Sequence, residues 1–594
     1  MHPDQTDDRI LDNDSKPEVE RFEVVSSSSN VPLDGVEDGK VSTSTIVAVL
    51  FLGLSFTGPI GCGYTLIAGI THQIGIALGN SQDMVWVAGG WSIASAVGFA
   101  VAGGLSDIFG RRWVILYGNA LSVVGAIVAA TADKVNQVIA GSTLIGAGAG
   151  MIFVAYPGIS EILPNKYRGI GLGWTEFNIN LPWASFSVLI GQQLASKATW
   201  RWCYYVAIIY SAISLVGCAV FYFPPTRPRN DFDKSRWQEF KELDFVGVAM
   251  FSGGLTILLV GLTELGKPSY NKSLVASTIT VGAIMFLGCF AYEWTVCPNP
   301  LFPFSLFKQI RKFVMLLLVS FVAGLVWYSM AALLPQATLY MYTKDPVEIG
   351  VIAIPNGISL VIGGWVIPSF LQYIKRIRGQ FIVAMFIQTL FTALYAAVIP
   401  NHKAAWMIFQ FFGQGCFTWV TTIAYIAAGL EVPQEELGVA SGLIGTFRSA
   451  GGSFGNAIFN TILNNVINND LGGNIARAAI SRGYPAQGVT DLVPVVIQAE
   501  SGVPGAPQML ARMDGVTPAV MAAIAETVKN TYAKAFRMVF YASIPFGVIA
   551  LIGSFFIHDS SDKLNNHVAV QQEKEVLSGK VNDPKKRLSQ MGQS

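Results

Sequence analysis

The sequence predicts an all-α integral membrane protein with about fourteen transmembrane helices. Three observations predict it. Of the 594 residues, 52% are hydrophobic and only 13% are charged, about half the charge fraction of an ordinary soluble domain. Between Thr45 and Ile557 the chain repeats long apolar runs, and roughly 20 such residues in a helix cross the hydrocarbon layer. The runs are long and do not alternate in polarity, which excludes a transmembrane barrel, the other structure that satisfies its backbone in lipid.

The predicted spans are 45–68, 84–105, 112–131, 137–160, 169–195, 201–223, 244–265, 273–295, 313–341, 349–372, 380–399, 404–430, 438–466 and 535–557. Their orientation follows from Lys and Arg in the short loops, which concentrate on the cytosolic side. Loops on the side of the termini hold fifteen, in groups at 111–112, 166–168, 227–241, 308–312 and 375–378. The opposite loops hold seven: Lys134, Lys197, Arg201, Lys267, Lys272, Lys344 and Lys403. Both termini are therefore expected in the cytosol, as an even span count also requires.

Residues 1–43 form a polar, Ser-rich, acidic tail that composition predicts to be disordered. It lacks the basic start of a cleavable signal peptide, so the first span is expected to be an uncleaved anchor. Residues 558–594 form a second polar tail. The segment 467–534 is read as a long loop on the outer side. Within it Thr517-Pro518 followed by Val520, Ile524 and Val528 has the pattern of a capped amphipathic helix. The loop either covers the outer mouth or is a passive insertion.

Several function classes drop out. The formal net charge is +1, so no general affinity for nucleic acid is expected. The six cysteines (Cys62, Cys203, Cys218, Cys289, Cys297, Cys416) show no metal-ligand spacing. They read as small core residues. The five histidines lie outside the apolar centres, so neither a metal site nor another cofactor is expected. Gly261 to Lys267 mimics a phosphate-binding loop, but Pro268 stands where Ser or Thr is needed and no strand precedes it. No nucleophile–base constellation suggests an enzyme.

The most specific motif is Gly103-Gly104-Leu105-Ser106-Asp107-Ile108-Phe109-Gly110-Arg111-Arg112, between the second and third spans. It resembles the signature loop of the major facilitator superfamily, GxLxDxxGRR, in the position where that family carries it. Glycines permit a tight turn between closely packed helices, and the two arginines are expected at the membrane face. Trp200-Arg201-Trp202 resembles fourteen-span drug-exporter-like members. Glu161 to Arg168, Pro224-Pro225-Thr226 and Phe447 to Gly452 resemble the fungal trichothecene-efflux-pump group. The resemblance covers roughly 45 to 557.

It implies a major facilitator fold: a six-helix lobe at 44–223, a cytosolic linker at 224–243, two extra helices at 244–312, and a second six-helix lobe at 313–557. It further implies that Asp107, with Gly103, Gly110, Arg111 and Arg112, latches one conformation against the start of the thirteenth span near Leu437, where a helix N-terminus favours an anion. The expected activity is secondary active transport, with proton-coupled efflux of a small organic toxin or secondary metabolite preferred. The alternatives are siderophore-iron import and a non-transporting nutrient receptor. The expected partners are a small organic substrate, protons and the bilayer, with the chain a monomer. The expected location is the plasma membrane, or else the vacuolar membrane.

The chain also departs from the proton-coupled exporters. Ser142 stands where they carry an Arg, Ser187-Val188-Leu189-Ile190-Gly191-Gln192 replaces a GPxxGG run, and the first span has no Asp. Glu176, two turns into the fifth span, and Arg448, three turns into the thirteenth, remain as ionisable groups at depth. Such groups are costly there and face a cavity or a partner, which makes them the candidates for coupling. Glu176, Asn180, Ala184, Ser187 and Gly191 share one small, polar helical stripe. Tyr64, Asn180, Trp327, Tyr328, Gln336, Asn356, Gln410, Gln414 and Trp419 are candidates to line an amphipathic cavity. Asn271-Lys272-Ser273 is a glycosylation sequon on the expected outer side.

Overall fold

The computed structural model describes residues 42–68, 85–224, 243–265, 271–297, 302–433, 436–500 and 505–564, with residue 300 and a few positions between 70 and 79. These residues form helices and contain no strand. Long helices occupy all fourteen stretches that hydropathy marks. They are α1 (Thr43–Leu66), α2 (Val85–Phe109), α3 (Arg111–Ala130), α4 (Val135–Ile162), α5 (Arg168–Ile179, continuing as Ser185–Lys197), α6 (Arg201–Phe221) and α7 (Phe245–Leu265). Then come α8 (Lys272–Thr295), α9 (Ile310–Met341), α10 (Val347–Ser369), α11 (Ile377–Val398), α12 (Lys403–Glu431), α13 (Leu437–Ser481) and α14 (Pro518–Phe556). Nine of the helices among the described residues are long and apolar enough to cross a membrane by themselves.

The exterior is apolar in the way lipid requires and water does not. Ile284, Leu287, Val216 and Trp113 are each more than 60% exposed. The interior carries Asn119, Ser142, Gln388, Gln414 and Thr422, all buried. With lipid outside, hydrogen bonds and close packing rather than water exclusion hold helices together. Asn119 accordingly donates to Ser55 Oγ at 3.2 Å, joining α3 to α1, and Trp406 Nε1 donates to Thr338 Oγ1 at 3.1 Å, joining α12 to α9. All six cysteines are free, five of them buried, as small core residues would be.

Two elements differ from the hydropathy reading. α5 is not one continuous helix: Leu181 adopts extended angles (φ −119°, ψ 123°), and Pro182 follows with no backbone N–H to give. The stripe from Glu176 to Gly191 is therefore broken in the middle. Gly191 packs against Leu66 at the end of α1 and Ile70 just beyond it instead. The segment 467–534 is not a loop throughout. α13 runs on to Ser481 and α14 already starts at Pro518. Hydropathy marks only their apolar portions, because beyond them each helix is amphipathic, with one face buried and polar residues such as Asn468, Asn469 and Glu526 exposed. Leu471, Ile475 and Ala479 of α13 and Val520, Ile524 and Val528 of α14 are all buried, and Lys534 pairs with Asp470 at 2.7 Å. The start of α14 follows the sequence signal: Thr517 Oγ1 accepts from Val520 N–H at 3.3 Å and Pro518 takes the first turn.

Candidate functional site

At the end of the bundle that carries the signature loop, Gly110 adopts φ +86° and turns the chain from α2 into α3, a conformation that costs only glycine little. Gly103 lies where α2 meets the start of α13. A Cβ on it would stand 3.0 Å from Gly438 O and from Val439 Cα, so no side chain fits while these helices touch. Asp107 belongs to the last turns of α2, and its side chain lies outside the described atoms. The arginines are not both at the membrane face. Arg111 is 2% exposed, pairs with Glu161 of α4 at 3.0 Å and donates to Ser106 Oγ. A guanidinium removed from water needs such a carboxylate and acceptor, and the loop turns it inward to reach them. Arg112 lies over the Phe223 ring at 3.8 Å and donates to Ala219 O at 2.8 Å.

The two lobes meet directly at this end. Arg168 donates to Gly429 O of α12 at 2.7 Å, and Gly169 is pressed against the Pro368 carbonyl of α10. Two residues beyond Gly429, the Glu431 carboxylate gathers Lys312 (3.2 Å), Lys563 (3.0 Å) and His558 (3.5 Å). Burial by itself would raise this carboxyl, but Lys563, Ser560 and Lys312 hold it below the usual carboxylate range. The segment after α14 is thereby strapped across the ends of α9, α11 and α12. His558 N–H bonds Arg311 O at 2.9 Å and Ile377 N–H bonds Ser561 Oγ at 2.9 Å.

Midway along the bundle a second cluster sits on the seam. Glu176 is 4% exposed. Tyr156 of α4 donates its hydroxyl to Glu176 Oε1 at 2.5 Å, and Asn180 Nδ2 donates to Oε2 at 3.2 Å. The stem of Glu176 lies against Gly364 of α10, so the acid belongs to one lobe and touches the other. Tyr156 stacks on Tyr425 of α12 with ring centroids 4.3 Å apart. Arg448 lies over Phe153 at 4.9 Å, Phe417 at 5.8 Å and Phe99 at 6.0 Å. Trp327 and Phe417 stack at 4.3 Å, with Tyr328 edge-on to Trp327 at 4.7 Å. No ion pair joins Glu176 to Arg448 among the described residues, although the two charges lie within electrostatic reach of each other.

Of the residues proposed from sequence, the structure brings Glu176, Asn180, Arg448, Trp327 and Tyr328 into or beside this cluster. Tyr64 stacks on Trp91 at 4.2 Å in its own lobe. Gln336 is partly buried on α9, two turns beyond Tyr328. Gln410 is buried, and Asn356 of α10 holds an enclosed Oδ1 without a partner among the described residues. Gln414 turns to Tyr395 Oη at 3.2 Å and Trp419 to Gln380 Oε1 at 3.1 Å. Both bonds run to α11, within the second lobe. Asn271 caps α8, accepting from Ser273 and Leu274 N–H, and is exposed. Tyr425, like Trp327 and Tyr328, stands out in the sequence as an aromatic group of the second lobe, whereas sequence reasoning did not single out Tyr156, Phe99, Phe153 or Phe417. An aromatic ring inside an apolar span gives no signal that separates a seam from a core.

The profile of the family described as fungal trichothecene efflux pump (TRI12) matches residues 7–588. The chain belongs to this family. It is similar to the trichothecene efflux pump TRI12 of Fusarium sporotrichioides, at 26% identity over 84% of this chain and 85% of that one. It is similar to the MFS-type transporter prx5 of Penicillium rubens, at 27% identity over 80% and 89% of the two chains. Among solved structures, the proton:xylose symporter XylE superposes with a TM-score of 0.50, covering 90% of this chain and 98% of that one at 13% identity, which shows a shared fold. This member of the TRI12 family is thus a multi-pass membrane protein with the major facilitator fold. Its lobes touch along α2–α13 and α5–α10, and Glu176 sits on the second of these seams.

Proposed function

We propose that the protein is a secondary active exporter that moves a small organic toxin or secondary metabolite out of the cytosol in exchange for protons. The names of its relatives, a trichothecene efflux pump among them, support export and a toxic, mostly apolar cargo. The observation that carries the proton part is Glu176, an enclosed carboxyl whose own lobe supplies its donors and whose stem rests on the other lobe. Rocking of the lobes about the midplane would separate it from Gly364 and change its access to water. Such a group can take a proton on one side and release it on the other. Tyr156 and Asn180 hold both oxygens when the group is ionised.

In this reading the fourteen helices all cross the membrane and the signature-loop end faces the cytosol of a plasma membrane. The lobes meet there through Arg168 and Gly429, and release of that contact opens the cargo path to the cytosol. The test is flux in inside-out membrane vesicles under an imposed pH gradient, acid inside. The wild-type protein is expected to concentrate cargo, and Glu176→Gln is expected to exchange it without concentrating it. A Glu176→Gln protein that still moves cargo uphill removes Glu176 as the proton carrier. Wild-type flux that ignores the gradient removes proton coupling.

A further inference from the structure

Arg448 is a cation enclosed in the middle of a membrane protein, and among the described residues no carboxylate makes a direct ion pair with it, although Glu176 lies within electrostatic reach. Arg448 is 5% exposed. Among the described residues it makes no ion pair and no hydrogen bond, and its Nε is enclosed without a partner. Ring faces surround it, Phe99 and Phe153 of one lobe and Phe417 of the other, and Tyr156, Tyr328, Tyr425 and Glu176 also act on its charge. Ring faces attract a cation but cannot accept the five N–H bonds that a guanidinium offers. The carboxylate in the same cluster, Glu176, is already held by Tyr156 and Asn180.

A second donor points the same way. Trp327, stacked on the opposite neighbour Phe417, has its indole N–H enclosed without an acceptor among the described residues. A buried donor left unmade is expensive, and a buried charge left unpaired more so. Two such donors beside one ring, on the seam between lobes that must part during transport, are satisfied when something else arrives.

We propose that Arg448, with Trp327 beside it, is the recognition point for cargo. The cargo class is a molecule with an apolar ring system that carries a carboxylate or carbonyl oxygen as acceptor, and organic cations are rejected. The rings of Phe99, Phe153 and Phe417 receive the apolar body, and the guanidinium takes the oxygen. A carboxylate gains a charge-assisted, two-pronged contact, and a ketone gains a single bond. The assignment rests on the transporter reading above but concerns selectivity, not coupling.

Three probes of one shape separate the outcomes: 2-naphthoate, 2-acetylnaphthalene and (2-naphthylmethyl)trimethylammonium. Binding to the solubilised full chain is read as thermal stabilisation against probe concentration. The wild-type protein is expected to bind the carboxylate tightest, the ketone next and the cation least. Arg448→Gln is expected to weaken carboxylate binding about tenfold or more and to bring the cation level with it. Arg448→Lys is expected to keep part of the carboxylate preference and lose the ketone. Trp327→Phe keeps the stack on Phe417 and is expected to weaken the ketone and the carboxylate by the same modest factor.

The proposal is overturned if wild-type protein binds the cation as tightly as the carboxylate or binds none of the three. It is equally overturned if Arg448→Gln keeps the wild-type order. Should Arg448→Gln fail to fold, the wild-type order and Trp327→Phe still decide. Flux in the vesicle assay without this preference sinks the assignment alone. Preference without flux sinks the transporter reading and leaves Arg448 as the recognition point of a ligand that is bound but not carried.

Discussion

Gly103→Val tests whether the α2–α13 contact belongs to one state of a working cycle. The new Cβ would stand 3.0 Å from Gly438 O and Val439 Cα, and both of those are backbone atoms that cannot swing aside. Two further methyl groups follow it into the same gap. Overpacking of this kind costs about 1–3 kcal/mol. The cost falls only on the state in which these helices touch, so that state loses about 5- to 150-fold of its population. The neighbouring Gly104→Ala is the control. Its Cβ would meet only the Leu243 Cδ2 methyl, at 3.2 Å, and that side chain can turn away.

The reporter is Ser160→Cys, 2% exposed in the wild-type position and close to Gly429 across the seam. Cys297→Ser removes the least buried native thiol. The Gly103→Val protein should be alkylated at position 160 many times faster than its parent, and its flux should fall by a similar factor. Gly104→Ala should leave both near normal. Unchanged alkylation and flux in Gly103→Val would show that the α2–α13 contact is not a conformational latch.

Asp107→Asn, one turn beyond Gly103, should abolish flux while expression stays near normal. One charge–dipole contact is worth about 0.3–2 kcal/mol, enough to shift a conformational balance and too little to unfold a large bundle; wild-type flux in the mutant would sink the latch. Glu431→Gln should lower the melting temperature at neutral pH. Because the Glu431 carboxyl is held below its usual range, its contribution is present above its unfolded value and is lost as pH falls through the lowered folded value. The gap between mutant and parent should therefore close in acid, and a gap that persists there would remove the charge from the explanation. Accessibility tags at positions 20, 230 and 580 should report the cytosol and a tag at 490 the exterior; a protected tag at 490 would mean a wrong span count.

Much of the architecture was legible because lipid imposes a simple rule on sequence: a helix in hydrocarbon must be apolar for its whole length. That rule located helices α1 to α14 in order. It failed where a helix is apolar on one face only. α13 and α14 run past their apolar portions with Leu471, Ile475, Val520 and Ile524 buried in the core and polar residues exposed on the other side. The break in α5 at Leu181 was hidden because periodicity assumes an unbroken helix, although Pro182 marked the place.

Pairings across long sequence separations were out of reach. Arg111 with Glu161 and Arg168 with Gly429 span 50 and 261 positions. In the central cluster, the ionisable members Glu176 and Arg448 stood out against apolar surroundings, since charge at depth is conspicuous. Tyr156 and the three phenylalanines did not. Their role depends on which lobe they face, and that is a property of the assembled bundle.

Export of a toxic or secondary metabolite is most directly tested by an untargeted comparison of metabolites inside and outside cells with and without the gene. The account predicts that at least one ring-bearing, acceptor-carrying metabolite rises inside and falls outside when the gene is lost. A compound that instead falls inside, or no compound that changes sides, would contradict it.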